Sequence, residues 1–166
     1  PPSVHTGRYQ PQLFSLTSSS AADRDPVRTM SIIENIATIR GDLNSHAQNF
    51  FIYYFKRFPQ YQNKFADYRG KNPDNLRSLT KFQSHPCMFL GMVLAVVEKT
   101  GDVGELRNEA RRITKMSQHF DVGAQEYKDL FSALVGYLGE TLGSSCDRHG
   151  WLAAGEQVAN AMVAAM

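Results

Sequence analysis

The stretch FQSHPCMF, residues 82–89, places a histidine directly before a proline within a run of apolar side chains. Its counterpart is a second histidine, His119, in the next helical stretch. Pro86 has no N–H to donate to the carbonyl of Phe82, and its ring clashes there, so we expect the helix to bend at His85. The sequence predicts this bend but does not fix its direction.

The composition is that of one globular domain. The chain has 166 residues, 42% hydrophobic and 20% charged, which is enough for a single buried core. The net charge of +2 is not concentrated in any run of Lys and Arg. It therefore gives no indication of nucleic acid or an anionic membrane as a partner. No apolar run is long enough to predict a membrane span.

The two cysteines, Cys87 and Cys146, are too few for a disulfide framework and lack the paired spacing of metal ligands. We predict that both are thiols in a reducing, cytoplasmic compartment. The sequence begins with Pro1 rather than methionine, which suggests a processed or excised segment of a longer chain.

Apolar side chains recur at spacings of three and four along most of the chain, which predicts an all-α fold of about seven helices. No stretch shows the alternating pattern of a strand. Residues 1–24 are expected to form an irregular extension, and residues 25–166 the helical domain. The predicted helices are residues 25–41, 42–58, a short segment 59–65 that begins with a turn at Pro59, 73–99, 103–119, a sixth containing 127–138, and a seventh capped by Ser144 or Ser145.

Four landmarks in the helical part share the spacing of a known family. A helix ends in an aromatic residue just before Pro59, Phe65 follows that proline, and His85 and His119 lie on the next two predicted helices. In this pattern, over about residues 25–166, the chain resembles the globin family. The resemblance implies a globin fold around haem b, with Phe65 stacked on the haem, His85 on the distal side and His119 as the proximal iron ligand.

Further residues assigned to the haem pocket fall into two groups. The apolar walls are predicted to be Phe51, Phe82, Phe89 and Met116. Arg69 and Lys81 flank the expected haem edge and are candidates to pair with the propionates, although a solvated charge is the simpler interpretation. The tryptophan that the family carries in its first helix is absent, which affects packing rather than haem chemistry.

Each of the two histidines also has a simpler interpretation. Without the other landmarks, His119 would be interpreted as a surface residue at a helix end, and His85 as a core histidine hydrogen-bonded to a carbonyl. Within the resemblance, His85 either hydrogen-bonds bound oxygen or is a second iron ligand. The phenylalanines leave little space for a stable oxygen complex, so we favour bis-histidine coordination. Side chains expected at the surface or as core filler instead of on the iron are His5, His46, His149, Met88 and Met92.

Within the family, the chain looks most like the bis-histidine globins of nematodes. Two nitrogen ligands hold iron with little rearrangement in both oxidation states, which suits oxygen or redox sensing, or electron transfer with an unknown donor or acceptor. The rival function is reversible storage or transport of oxygen, or binding of another diatomic gas, by a five-coordinate globin. A third alternative is a haem-free interaction module with the globin fold. No acid–base constellation indicates a dedicated enzymatic reaction.

Overall fold

The computed structural model describes residues 30–166, and this part of the chain is helical without any strand. Its seven α-helices are α1 (Ile32–Gly41), α2 (Leu43–Arg57), α3 (Pro59–Gln62), α4 (His85–Val97), α5 (Val103–Thr114), α6 (Ala124–Leu142) and α7 (Arg148–Ala165). Short 3-10 helices cover Pro73–Ser78, Thr80–Gln83, Ser117–His119 and Gly143–Ser145. The predicted all-α class is confirmed, while the predicted extension at residues 1–24 lies outside the described residues.

The first two helices are set by side-chain caps. Ser31 accepts a hydrogen bond from the backbone N–H of Glu34, whose carboxylate accepts from the N–H of Ser31, so α1 begins at Ile32. The predicted start at residues 25 and 26 is not described, and Met30 precedes the helix instead of belonging to it. Asp42 caps α2 as predicted, by accepting from the N–H of Ser45.

The predicted long helix over residues 73–99 is wrong. Two 3-10 helices separated by the extended residue Leu79 come first, and α4 begins only at His85. Pro86 therefore stands in the first turn of α4, where a missing N–H breaks no hydrogen bond within the helix. The proline starts a helix here, so the predicted bend at His85 does not occur.

The predicted helix that runs from Val103 into His119 is also shorter than expected. It ends at Thr114, Met116 is extended, and His119 closes the separate 3-10 helix Ser117–His119. The last helix has a different cap from the predicted serines, because Asp147 accepts from the N–H of Gly150 while Ser145 ends a 3-10 turn.

The helices pack in two groups that share α6. Helix α7 lies against α5 and α6, and α2 lies against α4 and α6. The contact of α6 with α7 is close at Gly155, where an added Cβ would lie 2.9 Å from the side chain of Phe131. The aromatic face of α2 is fully buried at Phe50, Phe51 and Phe55. None of the described helices is long and apolar enough to cross a membrane.

Candidate functional site

His119 lies at the wall of an apolar cavity between α4, α6 and α7. The cavity has a volume of about 40 Å³, and its other walls include Phe89, Ile113 and Met162. The Nδ1 atom of His119 is buried without a hydrogen-bond partner among the described residues. Burial lowers the pKa of His119. The side chain is therefore a neutral imidazole with unused hydrogen-bonding and metal-binding capacity.

A second buried polar atom without a partner borders the same cavity. Tyr127, on α6, is 5% exposed, and its hydroxyl has no hydrogen bond within residues 30–166. Buried polar groups are normally paired. Two unpaired polar atoms at one apolar cavity indicate a site for a ligand that the protein alone does not supply.

His85 begins α4 and is packed among aromatic rings. Its ring centroid lies 5.8 Å from that of Phe51, 5.9 Å from that of Phe65 and 5.6 Å from that of Tyr68. Its Nδ1 atom is 2.8 Å from the hydroxyl oxygen of Tyr68. The pKa of His85 is lowered by burial and further by nearby Lys81, while Asp67 opposes this change. His85 is therefore also held neutral.

Phe51 is the centre of the predicted aromatic wall. Its ring centroid lies 4.9 Å from that of Phe89, 5.5 Å from that of Phe65 and 6.2 Å from that of Phe82. Phe89 also borders the cavity at His119. The structure thus brings the predicted distal residues together and connects them, through Phe89, to the predicted proximal side.

Of the three remaining predicted site residues, two already have polar partners in the protein and the third lies away from the cavity. Arg69 is exposed and donates to the carbonyl of Asn63 at 2.9 Å, and Lys81 pairs with the carboxylate of Asp67. Met116 is half-buried but does not border the cavity. Pairing of Arg69 and Lys81 with propionates stays a prediction that would require their present contacts to change.

The sequence interpretation missed Tyr68 and the role of Tyr127. Tyr68 lies in the mostly polar stretch 66–71, between the predicted segments 59–65 and 73–99, yet its side chain is fully buried. A tyrosine in an otherwise polar loop was the available signal. Tyr127 was expected on the apolar face of its helix, and the sequence contains no sign that its hydroxyl would lack a partner.

The fold and the site define an all-helical protein in which His119 borders an apolar cavity and His85 lies in the aromatic cluster that Phe89 joins to it. A family model described as Globin matches residues 48–162. The chain belongs to the globin family. Globins bind haem and diatomic gases, and family membership implies haem binding here.

Relatives of the chain are molluscan. It is 29% identical to a globin of Aequiyoldia eightsii over 146 residues, covering 86% of this chain and 95% of that protein. It is also 29% identical to a globin of Nerita albicilla over 108 residues, covering 61% of this chain and 65% of that protein, just under two thirds of its length. These relatives do not support the predicted resemblance to nematode globins.

The architecture matches that of a solved globin. The structure of ferric Aplysia limacina myoglobin with azide has a TM-score of 0.70 and 18% sequence identity, covering 81% of this chain and 92% of that one. This similarity confirms the globin fold that the sequence predicted.

The residues around the cavity fit haem in their chemistry. An apolar lining suits a large apolar disc, and a neutral imidazole with a buried, unpaired nitrogen suits an axial ligand of iron.

Proposed function

We propose that the chain holds haem b with His119 and His85 on opposite faces of the iron and serves redox sensing or electron transfer. The observation that carries this proposal is the environment of His85. Its Nδ1 atom lies 2.8 Å from the hydroxyl of Tyr68, which leaves Nε2 as the nitrogen for a metal. A metal-binding histidine donates its other ring N–H to a neighbouring group, so His85 binds iron when its proton lies on Nδ1 and the Tyr68 hydroxyl accepts.

When bound, haem supplies an iron that changes oxidation state by one electron. The protein contributes two imidazoles that burial keeps neutral, so each offers a lone pair near pH 7. It also supplies an aromatic wall beside His85, formed by Phe51, Phe65 and Phe89. These rings leave little room for a further ligand beside His85.

The proposal includes the cellular compartment of the protein. Cys87 and Cys146 are free thiols, as predicted from their number and spacing. Free thiols fit a reducing compartment. We place the protein in the cytoplasm, with an electron donor or acceptor still to be identified.

A second candidate function is reversible binding of oxygen or another diatomic gas. It is favoured by the Tyr68 contact, because a hydrogen bond from the Tyr68 hydroxyl to Nδ1 leaves the proton of His85 on Nε2. An Nε2–H group is a hydrogen-bond donor to a small ligand and not a metal ligand. The similarly folded Aplysia protein is a ferric myoglobin whose structure contains azide.

An absorption spectrum of the haem-loaded protein separates these functions. We expect low-spin spectra in both the ferric and the ferrous state, and a change to high-spin ferrous iron in His85→Ala. The matched control is His46→Ala, because His46 also accepts or donates at a tyrosine hydroxyl, that of Tyr137, but lies outside the aromatic wall. A high-spin ferrous spectrum of the native protein would support gas binding, and absence of a Soret band would contradict haem binding itself.

A further inference from the structure

The hydroxyl of Tyr68 is buried and hydrogen-bonded to His85. Tyr68 is 0% exposed, and among residues 30–166 the hydrogen-bond partner of its hydroxyl is the Nδ1 atom of His85, at 2.8 Å. Burial, followed by the charge of Asp67, raises the pKa of Tyr68 to about 12, so the phenol keeps its proton. The hydrogen bond therefore joins a neutral phenol to a neutral imidazole.

The backbone and ring of Tyr68 are both fixed. Its carbonyl accepts from the side-chain amide of the buried Gln62 at 2.7 Å, and its N–H donates to the carbonyl of Phe65 at 2.8 Å. Its ring lies against the rings of Phe82 and Phe65, with centroids 5.4 and 6.0 Å away. The hydroxyl consequently cannot swing to another acceptor without disturbing the core.

Only one direction of this hydrogen bond satisfies both groups. If Nδ1 of His85 donated, the phenol O–H would be buried with no acceptor. The free-energy cost of an unpaired buried donor is at least as large as the stabilisation that the hydrogen bond provides. If the phenol donates, Nδ1 accepts and the imidazole carries its one proton on Nε2, which unlike the Tyr68 hydroxyl is accessible to solvent. The packing around Tyr68 favours the second arrangement.

We infer that Tyr68 is a positioning residue that holds His85 in the tautomer protonated at Nε2 and thereby weakens its binding to iron. This inference rests on the proposed function. To bind a metal through Nε2, the ring must move its proton from Nε2 to Nδ1, with no net gain or loss of protons. The Tyr68 hydroxyl must then accept instead of donate, which leaves its own proton unpaired. His85 is therefore a releasable ligand, and a small external ligand displaces it more easily than it would without Tyr68.

Tyr68→Phe in the haem-loaded protein tests this inference, because it removes the hydroxyl and keeps the ring. We expect His85 to bind ferrous iron more tightly, so that the apparent affinity for carbon monoxide falls by a factor of about 3 to 10, the usual net worth of one hydrogen bond. Nitrogen-15 NMR of the carbon monoxide form, in which His85 is displaced, should show the proton on Nε2 in the native protein and a mixture of tautomers in Tyr68→Phe.

The chain offers a matched control in its second tyrosine–histidine pair. The hydroxyl of Tyr137 lies 2.9 Å from Nδ1 of His46, so Tyr137→Phe removes the same kind of bond elsewhere. This variant should leave the carbon monoxide affinity and the His85 tautomer as in the native protein. An unchanged or higher affinity in Tyr68→Phe, or a native His85 protonated on Nδ1, overturns the inference. A native protein with high-spin ferrous iron contradicts the proposed bis-histidine function, and the NMR measurement still decides the role of Tyr68.

Discussion

At the scale of single residues, the pKa values of the two candidate ligands, His85 and His119, are both lowered, for partly different reasons. Burial is the main cause of the lowered pKa of both His85 and His119, and Lys81 adds to the effect only at His85. An imidazole that stays neutral keeps a lone pair, which is what a metal ligand requires. The same setting couples the two histidines to the stability of the protein.

Freed of haem, the protein should become less stable as the pH falls below 6.5. The folded pKa of each histidine lies below its ordinary value of 6.5, so below that pH the unfolded chain binds protons that the folded chain does not. Their contribution to the free energy of unfolding is complete above pH 6.5 and declines below it. Urea unfolding at about pH 7.5 and about pH 5 measures the difference. His119→Gln should reduce the change in the free energy of unfolding between the two pH values, whereas the control His149→Gln, at an exposed position, should not. Equal free energies of unfolding at the two pH values would contradict the expectation.

At the scale of elements, the sequence predicted helices well where a local cap defines them. Asp42 was predicted to begin a helix and Pro59 to end it in a turn, and α2 begins at Leu43 and ends at Arg57, before Pro59. The error at residues 73–99 has a physical cause. Leu76, Leu79, Phe82 and His85 recur at intervals of three, which is the period of a 3-10 helix and not of an α-helix. Apolar periodicity alone does not separate these periods over such a short stretch.

Pro86→Ala tests the role of Pro86 as a helix start. A proline in the first turn restricts the unfolded chain without breaking a helical bond, so its loss should lower the free energy of unfolding by about 1 kcal/mol. The helix content by circular dichroism should not change. If Pro86 lay inside a continuous helix, replacing it with alanine would raise the free energy of unfolding. Stabilisation by Pro86→Ala would therefore contradict the observed start of α4. The control is Pro73→Ala, in the first turn of a 3-10 helix, which should lower the free energy of unfolding by a similarly small amount.

At the scale of the whole molecule, Asn35 connects the first and last helices. Its side chain is fully buried, donates to the carbonyl of Ser145, and accepts from the N–H of Asp147 at 2.8 Å and from the indole N–H of Trp151 at 3.1 Å. Trp151 is itself fully buried. One asparagine thus fixes the start of α7 against α1.

Asn35→Leu should lower the free energy of unfolding by about 2 to 4 kcal/mol, because it leaves several buried polar groups without partners. Chemical denaturation, followed through the fluorescence of Trp151, measures this loss. The control Asn108→Leu changes an exposed asparagine in the middle of α5 and should alter stability by less than about 0.5 kcal/mol. Similar values for the two variants would show that the Asn35 contacts contribute little.

The sequence located the site more completely than it described the contacts within it. Phe51, Phe65, Phe89 and His85 form one cluster, as the resemblance to the globin family implied. The Tyr68 contact could not be predicted because it depends on how a loop folds back onto the start of α4. The roles of Asn35 and Tyr127 were equally hidden, since they follow from residues far apart in the sequence.

The placement of His119 on a 3-10 turn affects how the pocket can open. The segment Ser117–His119 is bounded by the extended Met116 and by the cap of α6 at Gly123, and it shares no continuous hydrogen-bond ladder with α5. Short 3-10 segments of this kind unfold locally at a smaller free-energy cost than the helices around them. The segment that carries His119, the proposed iron ligand, can therefore open locally while the helical core stays intact, so entry and exit of a ligand as large as haem need not involve unfolding of the whole protein.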